Sequence, residues 1–175
     1  MNNDTTAGQP QTLTPNTLAF MALCNEYCSA VEHASETQRT DFIDTMLRLL
    51  PRIYISASDI SASDSGNADA YIEDVLTEDY YDAMRRGVEA LMGEDDTYLD
   101  VFEEDMKYSD TPIAASISEG VADLFQVMYN YLETVRNAPD DLVAEATIAM
   151  REDFAQYWSR RLCDTMRAIN ALRYA

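Results

Sequence analysis

Basic residues are scarce in this sequence, and one sign of charge dominates it. The 175 residues include 32 aspartates and glutamates against 12 lysines and arginines, which gives a formal net charge of −20. Lys107 is the only lysine, and no basic patch of the kind that binds a phosphate backbone is present. A surface of this charge repels nucleic acid and anionic membranes. We therefore expect neither as a partner, whereas a basic protein would complement the surface.

Long apolar runs are also missing. Residues 1–15 have neither a positively charged start nor an apolar stretch, so the sequence predicts no secretory signal, and no membrane span follows. Cys24, Cys28 and Cys163 are too few, and odd in number, for a disulfide framework. These absences predict a cytoplasmic protein with reduced thiols.

Patterns that bind metals or catalyse reactions are weak. Cys24 and Cys28 lie four residues apart, but no second pair or histidine follows at ligand spacing, so we interpret them as core thiols. His33, the only histidine, is interpreted as a charge near a helix end. Residues 94–110 are acidic but lack the central glycine of a calcium loop. No phosphate-binding loop or nucleophile elbow is present, so we expect no metal and no cofactor, and we favour a non-enzyme.

Apolar residues recur every three to four residues over most of the chain, which predicts helices. The first four predicted helices each begin at a threonine or serine that can cap the N-terminus: Thr14, Thr40, Thr77 and Ser116. Pro51 lies inside the second helix and should kink it. Residues 1–13 predict a loose tail. Residues 14–175 predict a single all-α domain, a bundle of five or six helices with a long C-terminal helix.

The C-terminal helix is predicted over residues 141–174, which contain no proline or glycine. Its apolar residues recur at steps of four, so the stripe drifts by about 40° per step. The half around Leu142 and Met150 therefore faces more than about 90° away from the half around Trp158 and Leu162. The helix must either face two neighbours or break. The pattern also predicts a set of core residues: Leu47, Phe125, Met128, Phe154, Trp158 and Leu162.

Charged residues continue the line of this helix's first apolar face. They lie three or four residues apart, the spacing at which helical side chains meet. Because arginine forks bind carboxylates and phosphates, the cluster is a candidate ligand site, although a structural ion-pair network explains the same residues. We expect it to be covered by the first helix or the Pro51 region. With two residues beside the proline, the candidate site comprises Arg52, Tyr54, Asp153, Tyr157, Arg160, Arg161 and Asp164.

Three segments have the order and content of a known family. Leu49-Leu-Pro-Arg-Ile-Tyr54, the helix that begins Ser116-Ile-Ser-Glu119, and Phe154-Ala-Gln-Tyr-Trp158 followed by Arg160-Arg161 resemble the bacterial family of unknown function DUF5063. The resemblance covers about residues 18–173. It implies an all-helical cytoplasmic domain and transfers no activity, because the family has no assigned catalytic residues.

Two classes of function stay open, and we favour the first. A non-catalytic protein–protein interaction module is indicated by the acidic surface and by tyrosines among the acids, since aromatic residues are enriched at interfaces. Those tyrosines are Tyr71, Tyr80, Tyr81, Tyr98 and Tyr108. The alternative is a small-anion-binding protein or an enzyme with a site between helices around Arg160 and Arg161. A pocket at these arginines would favour the second class, and a closed salt-bridge network would favour the first. A nucleic-acid mimic and a homo-oligomer are further alternatives.

Overall fold

The computed structural model describes residues 13–60, 71–100, 108 and 110–174. Four helices, α1 (Pro15–Glu32), α2 (Arg39–Ser58), α3 (Glu78–Met92) and α4 (Ile117–Val135), precede a C-terminal helix. Two short strands, β1 (Thr97–Asp100) and β2 (Ile113–Ser116), pair antiparallel between α3 and α4. The predicted all-α fold with a long C-terminal helix is confirmed. The predicted tail, apart from Leu13, lies outside the described residues.

The C-terminal helix is 34 residues long and contains a π turn. It consists of α5 (Asp140–Asp153), the π turn Phe154–Trp158, and α6 (Ser159–Arg173). A π turn accommodates one extra residue and so sets the apolar stripe back by about 100°. This reset cancels the drift predicted from the sequence, and Met150, Phe154, Trp158 and Leu162 are all buried.

The core lies where α1, α4 and the C-terminal helix meet. The ring centre of Phe20 lies 5.5 Å from that of Tyr131 and 6.5 Å from that of Trp158. The indole N–H of Trp158 donates to the Met150 carbonyl oxygen at 3.1 Å, so this buried donor is satisfied. α4 packs against α1, α3 and both halves of the C-terminal helix, while α2 packs against α1 and α6. α4 is therefore the helix around which the others are arranged.

Two apolar residues are less buried than predicted. Leu47 is only half-buried, because it borders a cavity beside Pro51. Leu142 is 50% exposed, and its neighbour Val143 is buried instead. The other five predicted core residues are buried as expected. Val143 lies only about 20° round the helix from the buried Met150, whereas Leu142 lies about 80° from it.

Three of the four predicted helix caps are confirmed. The hydroxyls of Thr14, Thr77 and Ser116 accept hydrogen bonds from main-chain N–H groups three residues later. The prediction for Thr40 is wrong, because α2 begins at Arg39 and residue 38 is the N-cap. α2 also continues through Pro51 to Ser58.

A buried carboxylate places the sheet against α4. Asp96 accepts hydrogen bonds from the main-chain N–H of Ser118 at 2.8 Å and from its hydroxyl at 2.7 Å. A negative charge is stabilised there, because the N–H groups of the first helical turn point toward it. Gly93, with φ of +61°, ends α3 three residues earlier in a conformation that favours glycine. Together these residues connect α3 to the start of α4 through β1.

Candidate functional site

Arg161 lies in a closed polar network between α3, α4 and α6. Its Nε forms an ion pair with Oδ2 of Asp123 at 2.9 Å, and its guanidinium lies beside Tyr157. The Tyr81 hydroxyl donates to Oδ1 of Asp123 at 2.7 Å. Burial and this hydrogen bond raise the pKa of Tyr81, so it stays a donor. Arg161 is 31% exposed, and both oxygens of its partner carboxylate are used.

The element that was predicted to cover Arg161 was wrong. We expected α1 or the Pro51 region, but α4 supplies the partner carboxylate through Asp123. Asp164 of the helix itself is half-buried near Tyr98, whose pKa is raised by burial, by Asp100 and by Asp164. Arg160 is exposed. The spacing along one helix therefore identified the arginine that is covered but not its partner.

The two candidates beside the proline belong to different contacts. Arg52 pairs with Glu26 of α1 at 3.7 Å, and both side chains are largely exposed. The Tyr54 ring lies edge-on to Phe154 with the ring centres 5.1 Å apart. These residues hold α2 against its neighbours. Of the seven candidates, the structure brings together Asp153, Tyr157 and Arg161.

Asp153 and Tyr157 line a cavity of about 260 Å³ beside the network, which we call the acidic cavity. Partial burial and the neighbouring Glu152 raise the pKa of Asp153. A cavity of about 150 Å³ accepts benzene, so this one has room for the end of a long side chain. Its walls come from four segments of the chain: Ile72, Asp74, Asp123, Gln126, Val127, Asn130, Met150, Asp153 and Tyr157.

One wall of the acidic cavity is a segment without helix or strand, residues 71–77, which we call the strap. It runs antiparallel to α4. The N–H of Glu73 donates to the Thr134 hydroxyl at 3.0 Å. The N–H groups of Val75 and Leu76 donate to Oδ1 of Asn130 at 3.1 and 2.9 Å. The Asn130 amide in turn donates to Asp74 at 3.0 Å, so one side chain of α4 fixes the strap.

Sequence reasoning missed Asp74, Asp123 and Asn130. They are distant from Asp153 along the chain, and no spacing rule within one helix connects them. The one available signal was the pair Asn130 and Thr134, two polar residues one turn apart in a helix that is otherwise rich in apolar residues.

Two cysteines and the histidine, which could in principle bind a metal or react, lie outside this site. Cys24 and Cys28 are buried in the core, where burial raises the pKa of both thiols. Nδ1 of the exposed His33 lies 2.8 Å from the Ser29 carbonyl oxygen, at the end of α1. Within the described ranges, no group of three or more histidines, cysteines or acids is placed to hold a metal ion. Nor does any helix among them combine the length and apolarity needed to cross a bilayer.

Two larger cavities are lined differently. One of about 430 Å³ lies between α1 and α4, where Glu133 and Arg136 of its lining pair with each other. One of about 380 Å³ lies between α2 and α6 beside Pro51. Neither these two cavities nor the acidic cavity is lined by Arg160 or Arg161. The acidic cavity is lined by three aspartates, Asp74, Asp123 and Asp153.

Comparison with known proteins gives a family and a fold. The chain matches the model of DUF5063, a domain of unknown function, over residues 11–175. It is similar to the crystal structure of protein BF1032 from Bacteroides fragilis, with 26% identity and a TM-score of 0.77, over 92% of this chain and 94% of that one. No curated protein matches it. The resemblance predicted from three sequence segments is thus confirmed over nearly the whole chain.

Proposed function

This chain belongs to the DUF5063 family, and we propose that it is a non-catalytic protein–protein interaction module whose partner presents basic residues. The observation that carries the proposal is the ion pair of Arg161 with Asp123. Because Asp123 already pairs with its guanidinium, this cation is partly neutralised and attracts an anionic ligand less. The space beside it is lined by carboxylates, so the site favours a cation.

The charges around the acidic cavity support a basic ligand. Asp74, Asp123 and Asp153 contribute three negative charges and Arg161 one positive charge, which leaves a net charge of −2. Partial burial and the neighbouring Glu152 raise the pKa of Asp153, so its charged form is disfavoured there. A cation in the cavity would stabilise that form. The net charge of −20 would draw such a partner toward the protein over a longer range.

The shape of the cavity suits a lysine or arginine side chain. Val127 and Met150 provide apolar surface for the methylene stem, and three aspartates line the same cavity. The Tyr157 side chain is 55% exposed at the edge and offers an aromatic face. Protein interfaces are commonly organised around one such anchor in a pocket.

The alternative, an anion-binding protein or enzyme around Arg160 and Arg161, has less support. Arg161 is paired, and Arg160 is exposed and lines none of the cavities described above. An anion would also have to approach through an acidic surface. No observation on the described residues favours this alternative over the interaction module.

The proposal is tested by affinity capture from native lysate with quantitative mass spectrometry. Wild-type protein is compared with Asp74→Asn/Asp153→Asn, which removes two charges and keeps the side-chain shapes. The matched control is Asp59→Asn/Glu94→Gln, two exposed acids outside the acidic cavity. Melting curves verify that all three fold equally.

We expect a basic protein to be retained by wild type and control and lost from the cavity variant. A set of captured proteins that is identical for all three would contradict the proposal, as would capture of nothing above background.

A further inference from the structure

Pro51 leaves one main-chain acceptor of α2 without its regular helical hydrogen bond. α2 continues through Pro51 to Ser58, so Leu47 lies one turn before a residue that has no N–H group. The Leu47 carbonyl oxygen points along the helix toward residue 51 and cannot receive the usual bond there. Main-chain acceptors that lose a helical partner are satisfied by side chains, water or ligands. The space beside Leu47 and Pro51 is therefore suited to a hydrogen-bond donor.

That space is the cavity of about 380 Å³ between α2 and α6, which we call the Pro51 cavity. Leu47 and Pro51 line it from α2, and Met166 lines it from α6. Sites for small molecules commonly have about 300–1,000 Å³, mostly apolar walls and a few polar groups. Because a cavity of about 150 Å³ accepts benzene, the Pro51 cavity has room for a compound of two fused rings.

The charges around the Pro51 cavity favour an uncharged ligand. Arg167 is the one charged residue among those that line it. Its guanidinium pairs with Asp100 at 3.9 Å and lies over the Tyr98 ring, 5.9 Å from the ring centre. A cation in the cavity would be repelled by Arg167, whereas an anion would compete with Asp100 and approach through an acidic surface. The Pro51 cavity and the acidic cavity therefore suit different ligands.

Two sulfur-containing side chains favour an aromatic ring. Cys163 and Met166 both line the cavity from α6, three residues apart, which is a spacing at which helical side chains are neighbours. Contacts between sulfur and aromatic rings are favourable, and a methionine adapts its shape to the group it meets. Asn170, one turn further along α6, adds an amide to the lining. The walls thus combine apolar surface, sulfur and a few neutral polar groups.

We propose that the Pro51 cavity is a ligand site, separate from the proposed function, that binds a small uncharged aromatic heterocycle with an N–H group. The ring lies between Leu47, Pro51 and Met166, and its N–H donates to the Leu47 carbonyl oxygen. The site uses none of the acids of the acidic cavity. Either proposal can therefore fail while the other stands.

Indole is the probe and N-methylindole is its control, because the two share a ring system and differ in the N–H donor. Saturation-transfer NMR titrations with the full chain measure the affinity of each. We expect indole to bind about fivefold more tightly, the ratio that one net hydrogen bond provides. Equal affinities would overturn the role of the Leu47 carbonyl, and an absence of saturation transfer to both compounds would overturn the site.

Pro51→Ala separates the hydrogen bond from the bulk of the added methyl group. Alanine at residue 51 supplies an N–H group to the Leu47 carbonyl oxygen, so the preference for indole over N-methylindole should disappear. Arg48→Ala, at an exposed position of α2 outside the cavity lining, is the matched control and should keep the preference. Melting curves verify that both variants fold. A Pro51→Ala variant that retains the full preference would show that indole donates elsewhere, and the proposal would be wrong.

Cys163 reports where the probe binds. It is exposed and lines the Pro51 cavity, whereas Cys24 and Cys28 are buried. A thiol reagent should therefore react first at Cys163 in the folded chain, and saturating indole should slow that reaction severalfold. Unchanged reactivity of Cys163 under saturating indole would place the probe elsewhere and overturn the assignment.

N-acetyltryptophanamide distinguishes a free small molecule from a tryptophan side chain of another protein, because it carries the indole ring on a peptide unit. We expect free indole to bind more tightly, since the added peptide groups need hydrogen-bond partners that apolar walls do not offer. Tighter binding of the amide would overturn the assignment of a small-molecule ligand.

Discussion

The charged residues of α5 and of α6, the two halves of the C-terminal helix, have different surroundings. Three arginines of α6 each meet an aspartate of another element, in the pairs Arg161–Asp123, Arg167–Asp100 and Arg173–Asp44. In α5, by contrast, Asp153 lines the acidic cavity together with Asp74 and Asp123. Neutralised charges between elements stabilise the fold, whereas like charges around unfilled space leave free energy for a partner to gain. The comparison therefore indicates a structural role for α6 and places the proposed recognition site on α5.

The largest expected effect comes from the residue that joins the two halves. Trp158 is completely buried in the π turn, and its indole bonds the Met150 carbonyl. Trp158→Ala should cost about 3–5 kcal/mol in the free energy of unfolding, measured by urea denaturation. Tyr157→Ala, at an exposed neighbour, should cost less than about 1 kcal/mol. Similar losses for both variants would show that the π turn is not part of the core.

The close packing of α6 on α4 predicts the next effect. A Cβ at Gly120 would collide with the hydroxyl of Thr165, which is fully buried and, among the described residues, has no hydrogen-bond partner. Gly120→Ala should therefore destabilise by about 1–3 kcal/mol, and adding Thr165→Ala should restore much of the loss. Gly87→Ala in α3, where nothing lies within 4 Å, should instead stabilise by about 0.5–1 kcal/mol. Thermal melts that show equal effects at both glycines would contradict this packing.

The charge pair of α6 is tested by a double-mutant cycle. Arg161→Met leaves Asp123 partly buried without its cation, and should cost about 1–2 kcal/mol, between the values for exposed and buried pairs. Asp123→Asn keeps an acceptor for Tyr81, and combining it with Arg161→Met should recover most of that loss. Additive losses in denaturation would mean that the network contributes no coupling, and Arg161 would regain its candidacy as a ligand-binding residue.

Loss of the hydrogen bonds that hold the strap should reduce the free energy of unfolding less than the changes above, and its effect should be local. Asn130→Ala removes the acceptor for two strap N–H groups, which water can replace, so the global cost should be about 1 kcal/mol. Exchange of the strap amides should accelerate while the amides of α6 keep their protection. If α6 loses protection equally, the two halves of the helix unfold as one unit and the division between them fails.

Of these changes, a change in salt concentration should have the smallest effect on stability. Self-repulsion at a net charge of −20 opposes the compact state, and salt screens it over about 10 Å at 0.1 M. The melting temperature should rise from very low to physiological salt. The rise should be smaller for Asp153→Asn, which removes one unneutralised acid from α5. A melting temperature that falls with salt would show that the α6 ion pairs outweigh the repulsion.

Local features of the fold were predictable because their causes are local. A hydroxyl at residue 14, 77 or 116 bonds an N–H three residues on, so the caps follow from a short stretch of sequence. The prediction that Thr40 caps α2 was wrong because the N-cap of this helix is residue 38. The drift of the apolar stripe showed that the C-terminal helix could not stay regular, although it did not show that a π turn would correct it.

Only the part of the candidate site that lies on the C-terminal helix was predictable. Spacing placed Asp153, Tyr157 and Arg161 together; in the structure Asp153 and Tyr157 line one cavity, and Arg161 lies beside Tyr157. Their partners Asp123 and Asn130 come from α4, and Asp74 comes from a segment without regular structure. Periodicity in a single sequence carries no information about which elements meet, so the acidic character of the cavity became visible only in three dimensions.

The number of residues in the π turn sets the angle between the side chains of α5 and those of α6. Removing any one residue between 154 and 158 would turn every side chain of α6 by about 100° relative to α5. The three arginines would then point away from their aspartates while the acids of α5 stayed in place. The angle between the proposed binding face of α5 and the ion-paired face of α6 therefore depends on the number of residues in one turn, which no substitution changes and one deletion does.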